Sequence, residues 1–203
     1  FDFGVSSMQL DRGEKGFSFM KAGPLDMRMD PDSELTAADI VNSYSEEDLG
    51  KIFRDMGEEP QWRRAARAII YAREQKPIET TSELSELLRK ALGFKKGGRL
   101  HPATLIFQAL RIVVNRELEV IEKGLTKALK FLAPMGRLGT LSFHSLEDRI
   151  VKNIMRDACF KPKDKHHRGF LKLLTKKPWT PSDEEIRDNP RSRSAKMRFA
   201  EKI

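Results

Sequence analysis

Two stretches of this 203-residue chain gather side chains able to do chemistry. Ser142-Phe143-His144-Ser145-Leu146-Glu147-Asp148-Arg149 brings together an imidazole, hydroxyls, carboxylates and a guanidinium. Asp148 or His144 offers a hydrogen-bond acceptor, and Arg149 a charge able to neutralise an anion. Asp2-Phe3-Gly4-Val5-Ser6-Ser7 sets a carboxylate before a glycine turn and two hydroxyls after it. The carboxylate can hold an amino group or simply cap the turn, and serines after a glycine are ordinary turn residues. A Ser-His-Asp hydrolase is disfavoured, because His144 and Ser145 are adjacent and no G-x-S-x-G elbow occurs. No metal is expected: His166 and His167 are isolated, and the single cysteine, Cys159, excludes a cysteine-rich site.

Such side chains need strand ends to present them. Residues 137–143 read as a strand, and Ile150, Val151, Ile154 and Met155 follow at helical spacing. The spacing predicts a strand, a sharp corner and a helix over 146–155, with Ser145 as N-cap and Asp148 as its capping-box partner. Asp2 alternates with Phe1 and Phe3, so residues 1–7 read as the end of another strand. Ligands of open α/β sheets bind beyond the carboxyl ends of strands, which makes both corners candidate sites. Residues 194–203 alternate polar and apolar and read as a final strand.

Between the two corners the pattern is helical. Residues 8–34 form a long loop anchored by Phe17, Phe19, Leu25, Met27 and Met29. Its Asp26-Met27-Arg28-Met29-Asp30 segment either closes over a ligand or is a structural loop pinned by its methionines. Residues 35–100 hold short amphipathic helices, such as Leu49, Ile52, Phe53 and Met56, closed by a basic turn at 95–99. Pro102 opens a long helix expected to break at Gly124, on which Arg111 and Asn115 either reach the site or form a buried brace. Residues 160–178 are basic and weakly patterned. Pro181 is expected at the first position of a late helix that Asn189-Pro190 ends. Three segments result: 1–34, strand end plus site loop; 35–100, a helical insertion; and 101–203, the remainder of the sheet domain.

Composition narrows the partner. A net charge of +8 favours a polyanion, most often nucleic acid. Arg63, Arg64 and Arg67 form a basic face, Lys161 to Arg168 a basic run, and Arg191, Arg193, Lys196 and Arg198 a cluster near the last strand. No apolar run approaches membrane-spanning length and no signal peptide is visible, so a cytoplasmic location is expected.

An ordered series of segments carries a resemblance. It runs through Asp2–Leu10, Arg12–Phe19, Gly23–Asp30, Thr36–Tyr44, Gly57-Glu58-Glu59 and Phe107–Ile112, and closes with Ser142–Arg149 and Asn189–Lys196. The chain resembles the bacterial RsmH (MraW) family and its organellar relatives over nearly its whole length. These are S-adenosylmethionine-dependent methyltransferases that modify N4 of a cytidine in small-subunit ribosomal RNA. The resemblance implies a class I, Rossmann-like methyltransferase sheet with an inserted α-helical subdomain, and a role in ribosome biogenesis. It assigns Asp2 and Gln9 to the cofactor and Ser6, Ser7, His144 and Asp148 to catalysis; Arg149 is expected to neutralise a phosphate, and the basic clusters to contact RNA through their number and charge. A homodimer is compatible with it. Phe1 in place of Met and an opening in mid-strand lead to the expectation of an N-terminally truncated sheet. The glycine-rich cofactor turn is expected to be absent, since Gly93, Gly97 and Gly98 follow a helix and form no G-x-G-x-x-G. The alternative expectation is a non-catalytic basic RNA-binding module.

Overall fold

The computed structural model describes residues 1–94, 100–159 and 169–203. These form an α/β arrangement with many helices and one small sheet. The expected basic turn at 95–99 and the run containing Lys161, Lys163, Lys165, His166, His167 and Arg168 lie outside the described residues. The chain divides into two compact units, Val5–Glu117 and Phe1–Gly4 with Leu118–Ile203.

The first unit is helical: α1 (Ser7–Asp11), α2 (Ala37–Ser43), α3 (Glu46–Asp55), α4 (Trp62–Arg73), α5 (Thr81–Leu92) and α6 (Thr104–Val114). Capping boxes at Thr36–Asp39 and Thr80–Glu83 start α2 and α5 by satisfying backbone N–H groups that no helical carbonyl reaches. Leu49 and Phe53, Ala65 and Ile69, Leu84 and Leu88, and Ile106 and Leu110 put one face of each of α3 to α6 into a common core. Gly57 sits where α3 meets α6. A Cβ there would lie 2.7 Å from the carbonyl oxygens of both Phe53 and Leu105, so only glycine fits.

The 8–34 loop belongs to this core rather than to the sheet. Phe17, Leu25 and Met27 are buried among the helices, which is why the units divide at 4/5 and 117/118 instead of near 34 and 100. Arg28 clamps the loop through Asp26 (2.8 and 2.9 Å) and the Ser33 carbonyl (2.6 Å). Met27 is fully buried at φ +64°, in the sparsely populated left-handed region. Asn115 holds it there: Oδ1 accepts from the Met29 N–H (2.7 Å), and Nδ2 donates to the Met27 carbonyl (2.8 Å). The same residue ends α6. The long helix breaks at Asn115 and Arg116 (φ +51°), not at Gly124, which lies inside α7 (Glu117–Phe131). Arg111 forms a two-pronged, largely buried pair with Glu117 (2.7 and 3.1 Å). Arg111 and Asn115 therefore brace the loop and the helix junction.

The second unit holds most of α7, then β1 (Arg137–Ser142), α8 (Ser145–Asp157), β2 (Leu171–Leu173), α9 (Asp183–Asp188), a 3₁₀ turn (Pro190–Ser194) and β3 (Lys196–Lys202). The sheet order is β1-β3-β2, with both pairings antiparallel. Residues 1–3 add a parallel rung outside β1: Phe3 N–H donates to the Leu141 carbonyl (3.0 Å) and Leu141 N–H to that of Phe1 (2.8 Å). Leu138 and Ala200 face each other in register and bury against Val151 and Met155 of α8, with Leu125 and Leu129 of α7 and Leu171 of β2 completing the core. The short β2 falls within the basic, weakly patterned stretch 160–178. Ser182, not Pro181, starts α9, its hydroxyl accepting from the Glu185 N–H; Pro181 precedes the cap.

Candidate functional site

The strand-corner-helix at 141–149 is present, but its cap sits one residue earlier than expected. His144, not Ser145, is the N-cap of α8, and Glu147, not Asp148, closes the box. His144 Nδ1 accepts from the Glu147 N–H at 3.4 Å. Glu147 Oε2 accepts from the N–H groups of Phe143 (2.7 Å) and His144 (3.2 Å). Its other oxygen lies 3.2 Å from His144 Nε2, an electrostatic contact short of good hydrogen-bond alignment. Burial works to raise the Glu147 carboxyl. The His144 side chain and the two backbone N–H groups outweigh burial and hold it below the usual carboxylate range. The corner thus rests on a buried, ionised glutamate.

Asp148 is committed elsewhere. Arg198 of β3 grips it through Nε (2.7 Å) and Nη2 (3.1 Å), and Lys196 approaches to 3.8 Å. Asp148 and Arg198 are both 9 % exposed. Arg198 therefore stands in the layer between sheet and α8, tying them together. Arg149 is exposed on α8, and Ser145 is half-buried in its first turn.

On the neighbouring strand end, Asp2 is exposed and its backbone pairs in parallel with Leu141. Parallel pairing puts the carboxyl end of this strand on the same edge of the sheet as the carboxyl end of β1. Asp2 and the His144 corner are thereby brought to one edge. Gly4 takes φ +84° as the chain leaves the strand. In the helical unit, Ser6 is the N-cap of α1: its hydroxyl accepts from the Gln9 N–H (3.3 Å) while Gln9 Oε1 accepts from the Ser6 N–H (2.8 Å). That box occupies the Ser6 hydroxyl and the Gln9 carbonyl. Ser7 is exposed and its hydroxyl makes no hydrogen bond among the described residues.

The basic residues fall on both units. Arg63, Arg64 and Arg67 are exposed on α4, with Arg63 stacked 4.0 Å over the Trp62 ring and Arg67 paired to Glu46 (3.1 Å). Arg191 and Arg193 are exposed on the 3₁₀ turn around the buried Ser192, and Lys196 is half-buried at the start of β3. Sequence reasoning passed over Glu147. The signal was its position three residues after the true cap, the spacing that marks a capping box.

Comparison with known proteins gives one answer. The family model described as the MraW methylase family matches residues 1–203. A protein named ribosomal RNA small subunit methyltransferase H from Protochlamydia amoebophila is 54% identical over 204 residues, covering 96% of this chain and 65% of that protein. One of the same name from Caldicellulosiruptor bescii is 54% identical over 211 residues, covering 100% and 68%. Another, from Synechocystis, is 51% identical over 203 residues, covering 100% and 62%. The chain spans about two thirds of the length of these relatives.

Proposed function

The chain belongs to the MraW methylase family, and on that premise we propose that it takes part in S-adenosylmethionine-dependent methylation of N4 of a cytidine in small-subunit ribosomal RNA, on a class I, Rossmann-like sheet. The observation that carries the reading is the parallel rung between Asp2 and Leu141, which sets two polar strand ends on one edge of the sheet. The names of the relatives supply the substrate class, small-subunit rRNA.

The residues present suit the cofactor's amino-acid end. Asp2 is an exposed carboxylate with no side-chain partner among the described residues, beside a left-handed glycine. It would accept hydrogen bonds from the methionine ammonium. When bound, S-adenosylmethionine supplies a methyl group made electrophilic by its sulfonium.

Cytosine N4 is a weak nucleophile, because its lone pair is delocalised into the ring. The protein's task would be to hold that amine in line with the sulfonium and to accept hydrogen bonds from its N–H groups; the N4 proton leaves to water after the nitrogen has gained the methyl. His144 and Glu147 act as positioning residues that fix the corner behind the base. Asp148 holds Arg198 and through it β3. The base must be unpaired to be reached, since N4 is otherwise in a Watson–Crick bond.

A specific observation favours a second reading, a basic RNA-binding module without transfer. The His144 and Asp148 side chains and the Ser6 hydroxyl are all engaged within the protein. Calorimetric titration of S-adenosylmethionine, followed by transfer of labelled methyl to small-subunit rRNA, separates the two. Saturable binding and N4-methylcytidine in the digested RNA are expected. RNA binding with neither cofactor binding nor transfer favours the module.

A further inference from the structure

The sheet unit carries a second feature, at the far end of α8 from the corner. A cleft of about 380 Å³ opens between α8, β2 and the segment that follows it. Its floor is apolar, made by buried Met155 with Leu173 and Pro178. Its walls are cationic: Lys152 and Arg156 on α8, Lys176 and Lys177 after β2, and Arg198 below. Two of these charges are answered, Arg198 by Asp148 (2.7 Å) and Arg156 by Asp157 (3.0 Å). Lys152, Lys176 and Lys177 are exposed and have no carboxylate partner among the described residues.

Three unanswered ammonium groups over an apolar floor are the complement of a sugar-phosphate chain. The lysines are point charges on flexible stems, suited to gripping phosphates regardless of sequence. Thr175, the buried polar side chain in the wall, uses its hydroxyl to accept from the Phe199 N–H (3.0 Å). The cleft therefore offers charge and an apolar surface without a fixed set of donors shaped to one small molecule. That favours a polymer backbone over a free nucleotide. The α8 rise of about 1.5 Å per residue puts Arg156 about 16 Å from Ser145, a distance that a few nucleotides of single strand can bridge.

We propose that this cleft anchors the phosphodiester backbone of single-stranded RNA, a few nucleotides away from the base presented at the His144 corner. The proposal rests on the reading of this chain as an RNA methyltransferase. Its chemistry is pure ion pairing, so it predicts a change in salt dependence rather than in base preference.

The test compares this chain with Lys152→Gln, Lys176→Gln and Lys177→Gln, singly and combined, for binding of a labelled single-stranded small-subunit rRNA fragment at several salt concentrations. Each phosphate contact contributes roughly 0.7 to the slope of log affinity against log salt. The triple variant is expected to lose about 2 from that slope and on the order of tenfold or more in affinity, with an unchanged melting temperature. An unchanged slope and affinity overturn the proposal. So does a triple variant that loses competition by cytidine monophosphate or inorganic phosphate yet keeps its RNA affinity, since the cleft would then hold a free anion. Methyl transfer by the unsubstituted chain is assayed in parallel. Transfer with no lysine effect sinks the cleft alone, whereas a lysine effect without transfer sinks the enzyme reading and leaves an RNA-binding cleft standing. A chain that binds no RNA at any salt sinks both.

Discussion

Glu147 shows how one side chain can set a corner without being seen in the sequence. An aspartate and a serine next to it fit the usual capping preferences, so the cap was expected at Ser145. Histidine is not among the residues that normally open a helix, and the true cap was overlooked for that reason. The types in this corner were legible; their partners were not, because Asp148 meets Arg198 across fifty positions of chain. Two consequences follow for Glu147. Replacing it by alanine strands the N–H groups of Phe143 and His144 in a buried corner, with an expected loss of about 2 to 3 kcal/mol in denaturant unfolding; Glu147→Gln keeps one acceptor oxygen and loses less. The carboxyl is held below its ordinary value in the fold, so ionisation and folding favour each other. Its contribution is complete above the unfolded glutamate value of about 4.3 and disappears as pH falls through the lowered folded value. Stability measured against pH should lose part of its acid-side slope in Glu147→Gln, and an unaltered slope would remove the residue from this role.

At the scale of elements, periodicity located the helices well and the interruptions poorly. The faces of α3, α4 and α5 follow directly from apolar spacing. The break in the long helix did not follow, because the expected breaker, Gly124, is tolerated inside α7, while Asn115 ends α6 through bonds to a loop more than eighty residues away. The same bonds decide the nature of the Asp26–Asp30 segment. With Met27 buried at a positive φ and Arg28 clamped to Asp26, it is a braced structural loop. Asn115→Ala removes an acceptor from Met29 and a donor from Met27 together. A loss of about 2 kcal/mol is expected, with faster hydrogen exchange in residues 27–29. Exchange unchanged there would show that the brace is dispensable.

For the whole molecule, the net charge of +8 favours a polyanionic partner. The division into units was not legible. A loop without periodicity gave no sign that Phe17, Leu25 and Met27 enter the helical core. No described helix is long and apolar enough to cross a membrane. If the exposed arginines and lysines of both units meet RNA, six or more phosphates are engaged. Affinity for a long rRNA fragment should then fall about a thousandfold between 50 and 200 mM salt. A nearly flat salt response would mean that the surplus charge serves solubility alone.

The chain's two tryptophans happen to be divided one to a unit. Trp62 opens α4 beneath the Arg63 guanidinium, and Trp179 lies edge-on to Phe199, 5.2 Å away and 62 % exposed. Each indole is thus an optical reporter of its own unit. In Trp62→Phe, the remaining emission follows the unit that carries the corner and the lysine cleft; in Trp179→Phe, it follows the helical unit. RNA seated near the cleft should dim the first signal and leave the second bright, so the colour and yield of two single-indole proteins can reveal which half of the molecule a ligand has touched.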